Sequence, residues 1–149
     1  MPSVSSSRRP VAGLAFALAL LAAPAFAAET VAVQLVGERG GEMAIELSQD
    51  SVPAGEVTFQ VANVAKNTPH EMIVAKVDEA GQRFEVDPST RKIDESKFDD
   101  LGEVEDLKAG QSGELTVDLA PGDYQLICNY KGHYMAGMVV SFTVTEAAS

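Results

Sequence analysis

The chain has 149 residues, with 22 acidic against 11 basic side chains and a formal net charge of −11. That balance argues against nucleic acid or an anionic membrane surface as a partner, since both are met by clustered Lys and Arg. Its single cysteine cannot form a disulfide within the chain.

From the N-terminus, Arg8-Arg9 precedes an apolar run from Val11 to Ala23 and a small-residue site, Ala25-Phe26-Ala27. This is the pattern of a secretory signal peptide cleaved after Ala27, and the run is short for a membrane span. Pro10 and Val11 continue a twin-arginine signal poorly, so a Sec signal is the better reading. Removing residues 1–27 leaves 28–149, a single domain of 122 residues (149 less 27). The expected location is periplasmic or otherwise exported. With Arg8 and Arg9 gone, 9 basic residues face 22 acidic ones, a charge of −13. In an oxidising compartment a lone cysteine needs an intermolecular partner, a reactive role or a metal.

The body of the domain alternates apolar and polar residues at the period of half-buried strands. Val31, Val33 and Leu35 share one face, as do Met43, Ile45 and Leu47, then Val57, Phe59 and Val61 after the turn at Pro53-Ala-Gly55. Glu71 to Val77, Leu115 to Leu119, Tyr124 to Cys128 and Val139 to Val144 complete the set. Seven or eight short strands without a sustained helical period predict an all-β, antiparallel β-sandwich. Between residues 78 and 106 the alternation stops. Gly81, Pro88 and a charged run near Lys92 to Asp100 predict a loop-rich insertion with a short helix.

The chemistry concentrates near the C-terminus, in Cys128-Asn-Tyr-Lys-Gly-His133-Tyr-Met-Ala-Gly-Met138. A thiolate, an imidazole and a thioether suit copper, and His70, the other histidine, completes a set of four. One thiolate, two imidazoles and a weak axial thioether are the donors of a blue-copper electron-transfer site. Met138, Met135 and Met72 compete for the axial place, and Met72 and Met135 read more plainly as packed or surface side chains. Both histidines being engaged, a hydrolase triad has no free base and a multicopper oxidase lacks its further histidine clusters. Zinc prefers thiolate, imidazole and carboxylate to thioether. No Gly-rich phosphate loop is present.

The Cys-x4-His-x4-Met run resembles the ligand loop of the cupredoxin, or type 1 blue-copper, family, and within it the longer-loop rusticyanins and auracyanins. Asn63-Val-Ala-Lys-Asn67-Thr-Pro69-His70 is similar to the asparagine-containing segment leading to that family's first histidine ligand. The resemblance implies a Greek-key sandwich holding one type 1 copper ion on His70, Cys128, His133 and Met138, converging at one end of the sandwich even without metal. Pro69 stiffens the approach to His70.

Glu71 stands where many cupredoxins carry Asn or Ser, and Asn129 follows the cysteine. The two are expected to tie the ligand loops together with their roles exchanged, and Tyr130, not being proline, keeps an N–H that can reach the sulfur. The His133 edge is expected at the surface in an apolar patch of Tyr134, Met135, Ala136 and Gly137. The implied function is that of a monomeric, non-enzymatic carrier passing one electron between redox proteins. A basic cytochrome or oxidase, steered by acidic residues such as Asp94, Glu95, Asp99, Asp100, Glu103, Glu105 and Asp106, is the expected partner. Two alternatives remain: copper trafficking or resistance without turnover, and a metal-free interaction module.

Overall fold

The computed structural model describes residues 28–147; the segment expected to be a signal peptide, 1–27, lies outside them. Nine strands form among the described residues: β1 (Glu29–Gly37), β2 (Met43–Leu47), β3 (Ser51–Pro53), β4 (Gly55–Asn63), β5 (His70–Val77), β6 (Asp99–Leu107), β7 (Ser112–Leu119), β8 (Gly122–Ile127) and β9 (Val139–Thr145). They stack as two sheets, ordered β2-β1-β4-β7 and β3-β9-β8-β5-β6. No helix among these residues is long and apolar enough to cross a membrane.

Alternation decides which faces meet. Val31, Val33 and Leu35 of β1 and Val57, Phe59 and Val61 of β4 are buried against Tyr124 and Leu126 of β8 and Phe142 and Val144 of β9. Phe59 and Phe142 pack edge to face with ring centres 5.3 Å apart, an arrangement worth about 0.5–1.5 kcal/mol beyond the area it buries.

The sandwich is as expected, but its sheets are mixed rather than wholly antiparallel. β1 runs parallel to β4, and β3 parallel to β9. After the β1–β2 hairpin the chain crosses to the other sheet for the three residues of β3 and returns as β4, in the direction of β1. Pro53 has no N–H to extend a ladder, so β3 is too short to show as alternation.

Segment 78–106 departs further from expectation. Its first part is irregular, with one 3-10 turn at Glu95–Lys97, but its end is a strand, β6, on the edge beside β5. Of the nine residues of β6 only Val104 and Leu107 are buried, and two register shifts break its pairing with β5. An edge strand wet on most positions has no apolar face to announce it, and its carboxylates discourage pairing with another chain. The irregular part covers the outer face of the second sheet. There Ile93, Phe84, Val86 and Phe98 pack on Ile73, Ala75, Ile127 and Tyr134. Burial on both faces is why β5 carries the unbroken apolar run Met72-Ile-Val-Ala75.

Candidate metal centre

His70 opens β5 at the end of a six-residue loop from Asn63 on β4. Asn63 is buried, and its side-chain amide donates to the carbonyls of Thr68 (2.9 Å) and Leu107 (2.8 Å) while its oxygen accepts from the Ala65 N–H (3.0 Å). Glu38 locks the same loop from outside. Its carboxylate accepts from the Lys66 N–H, the Asn67 N–H (3.3 Å) and the Thr68 hydroxyl (2.7 Å), bonds that hold its carboxyl below the usual range, Thr68 foremost. The His70 ring is then oriented from β1: Nε2 lies 3.1 Å from the Gly37 carbonyl, so Nε2–H donates and the Nδ1 lone pair is left for a ligand. Gly37 is needed there. Its φ is +115°, and a Cβ would sit 2.6 Å from the Glu42 carbonyl oxygen.

Cys128 follows β8 directly, and the chain turns back to β9 within ten residues. The turn closes on itself: the Cys128 N–H donates to the Met138 carbonyl (3.1 Å), the Met138 N–H to His133 (3.1 Å), and the His133 N–H to Tyr130 (2.9 Å). The loop also presses on β2, where the Met43 N–H donates to Ala136 (3.0 Å) and a Cβ on Gly137 would lie 2.5 Å from the Met43 oxygen. Both segments deliver their side chains to one point. His70 Nδ1 and His133 Nδ1 are 3.2 Å apart, Cys128 Sγ and His133 Nδ1 3.4 Å, and the three donor atoms all lie within 4.8 Å of one another. Spacings of this size suit donors shared by one ion with ~2 Å bonds to nitrogen and ~2.3 Å to sulfur. Met138 is fully buried in the same core as Cys128, Met72 is packed in that core, and Met135 is 62% exposed.

Burial sets the protonation of these side chains. It pushes the Cys128 thiol up to about 12, against the N–H groups of Glu71 and Tyr130, which hydrogen-bond to the sulfur. It pulls His133 down to about 4, with further lowering from the His70 and Arg39 charges, and lowers His70. Near neutrality the site therefore holds one thiol and two neutral imidazoles, three soft or borderline donors that suit copper.

The expected tie between the ligand loops exists in altered form. The Asn129 backbone N–H donates to Glu71 Oε1 (3.0 Å), so the carboxylate bridges as predicted, and burial raises its pKa. The Asn129 side chain turns instead to the insertion, accepting from the Ile93 N–H (2.7 Å) and donating to the Ile93 carbonyl (3.0 Å) and Glu95 (2.7 Å). The apolar patch expected around His133 is only partly there. Met135 is exposed, but Tyr134 is 5% exposed and packs inward beside Phe84, accepting that residue's N–H at its hydroxyl (3.1 Å). The outer sheet face needed covering, and an aromatic ring with a polar tip could do it. Glu38, Asn63 and the Gly37 carbonyl were not singled out as parts of the site. Only Asn63, within a segment already similar to a ligand approach, carried a visible signal.

A mixed β-sandwich with two imidazoles and one thiol gathered at one end describes a class of small copper proteins. The chain matches the cupredoxin-like domain over residues 11–141 and belongs to that family. It is 52% identical to auracyanin-B of Chloroflexus aurantiacus over 40 residues, 26% of this chain and 17% of that protein. Among solved structures it is similar in fold to auracyanin of Roseiflexus castenholzii (TM-score 0.54, 21% identity, 78% of this chain and 95% of that one). It is likewise similar to rusticyanin of Thiobacillus ferrooxidans (TM-score 0.58, 17% identity, 78% and 77%).

Proposed function

We propose that the protein is an exported one-electron carrier with a type 1 copper centre, in which His70, Cys128 and His133 are the strong ligands and Met138 the weak axial one. Bound copper supplies a one-electron couple; the chain supplies a nearly rigid set of donors. The carrying observation is that the thiol and both imidazole Nδ1 atoms converge within 4.8 Å of one another. Two loops braced by buried hydrogen bonds relax little when charge changes. His70 and Cys128 are sealed from solvent and His133 is 5% exposed, which favours passage of an electron through the His133 ring over binding of a substrate. The role is that of a carrier and not an enzyme, working as a monomer between redox proteins outside the cytoplasm.

Voltammetry of the copper-loaded protein should show a reversible one-electron wave unchanged over repeated cycles. Loss of copper to a Cu(I) chelator on each reduction would point instead to trafficking or resistance. Fractionation, with N-terminal sequencing expected to begin at Ala28, tests export.

A further inference from the structure

The His133 edge opens onto a surface depression of about 640 Å³ between the β1–β2 turn, the insertion and the ligand loop. The charged side chains lining it are Arg39, Arg91 and Lys131, one from each of those segments, and no carboxylate lines it. All three are exposed. In a domain where acidic residues outnumber basic ones by more than two to one, three cations at the mouth of the metal centre run against the overall charge.

Arg91 is set there deliberately. It lies in the left-handed region at φ 59°, held by a turn in which the Asp87 carbonyl accepts its N–H (2.7 Å) and the Asp87 carboxylate accepts from Ser89 and Thr90. Its carbonyl accepts the Gly132 N–H (2.9 Å), and its guanidinium covers Gly132 so closely that a Cβ would sit 2.8 Å from Nη2. Of the carboxylates around it, Glu38 bonds to the His70 loop, Asp87 to Ser89 and Thr90, and Asp106 to the Tyr130 hydroxyl.

We infer that this cationic rim is the electron-transfer docking face and that its occupant is a redox protein presenting an acidic patch around its own cofactor edge. The inference rests on the carrier reading above. At a Debye length of ~10 Å in 0.1 M salt, charges within the contact outweigh the distant net charge, so a negative protein can dock an acidic partner through a local positive mouth.

The test starts from the reduced, Cu(I)-loaded protein and follows its one-electron oxidation by hexacyanoferrate(III) and by tris(1,10-phenanthroline)cobalt(III), an anionic and a cationic oxidant, between 10 and 200 mM salt, with poly-L-glutamate or poly-L-lysine as competitors. Exchange with the anionic oxidant should slow as salt rises and should fall severalfold when poly-L-glutamate is added. The combined Arg39→Gln, Arg91→Gln and Lys131→Gln variant should lose both effects while keeping its visible spectrum. Because Arg91 also braces the loop, the Arg39→Gln, Lys131→Gln pair should show the same trend with smaller loss. If the cationic probe is the one accelerated at low salt, and poly-L-lysine is the blocker, the acidic surface steers a basic partner and this inference is overturned while the carrier reading stands. Failure of both probes to exchange electrons would overturn both.

Discussion

His70 is held by side chains, whereas Cys128 and His133 are held mainly by the backbone of their own loop. Around His70, Asn63 and Glu38 fill the hydrogen-bonding needs of a loop with no internal ladder, and a single carbonyl from β1 aims the ring. In the Cys128–Met138 loop the carbonyls and N–H groups pair largely among themselves, and outside help comes from the insertion through Asn129 and Arg91, from β2 through Met43 and from β5 through Glu71. A long extended approach leaves backbone groups needing side-chain partners, while a tight turn satisfies its own. The two segments should therefore fail differently.

The largest effect is expected at the side-chain lock. Asn63→Ala strips a donor from two carbonyls and an acceptor from the Ala65 N–H, and at ~1–3 kcal/mol per buried unpaired group it should lower unfolding stability by about 3 kcal/mol. Urea denaturation measures this, and the His70 ligand should become the weak one. A loss under about 1 kcal/mol would mean water replaces the amide without cost.

Acid should strike both segments together. Because the folded pKa values of His70 and His133 are lowered, the unfolded chain takes up protons first as pH falls. The stability that both rings contribute is intact above about 6.5 and is lost progressively on descending toward about 4, the value for His133. For His133 alone that shift corresponds to about 3 kcal/mol. Copper loading should release close to one proton at neutral pH, from the Cys128 thiol alone, with affinity rising about tenfold per pH unit. Calorimetry in two buffers of different ionisation enthalpy reads that number; a release near zero would mean the thiol does not enter the site.

On the loop side, Asn129→Ala leaves the Ile93 N–H and carbonyl unpaired and should cost about 2 kcal/mol. Hydrogen exchange should speed up over 87–97 but not over 63–70. Uniform acceleration in both would erase the distinction drawn between the segments. The smallest effect concerns the tie. Glu71→Gln keeps an acceptor for the Asn129 N–H but removes a charge beside the sulfur, so the reduction potential should rise by roughly 50–100 mV, the equivalent of a ~1–2 kcal/mol charge interaction. An unchanged potential would show Glu71 to be protonated in the copper-loaded protein.

The same contrast explains what the sequence disclosed. Seven strands were visible, most because one face is dry and the other wet, β5 and β8 because they are covered on both faces and read as short apolar runs, and His70, Cys128 and His133 were visible because few residue types bind copper. β6 was hidden because it is wet at most positions, with only Val104 and Leu107 buried, and β3 because three residues make no period. The braces were hidden for another reason. Glu38 meets the His70 loop from about thirty residues away, and Asn129 meets Ile93 across 36 positions; polar residues recruited by tertiary contact leave no local pattern. Tyr134 shows the limit from the other side, since an amphipathic ring fits a surface patch or a covered face equally well until the insertion is placed.

The central claim is that a buried thiol and two imidazoles, already converged, form one copper–thiolate centre, and visible absorption during Cu(II) titration tests it most directly. The account predicts an intense thiolate-to-copper band that saturates at one equivalent in the native protein and is absent in Cys128→Ser. Stoichiometric copper binding without that band, or a band that survives the loss of Cys128, would contradict it.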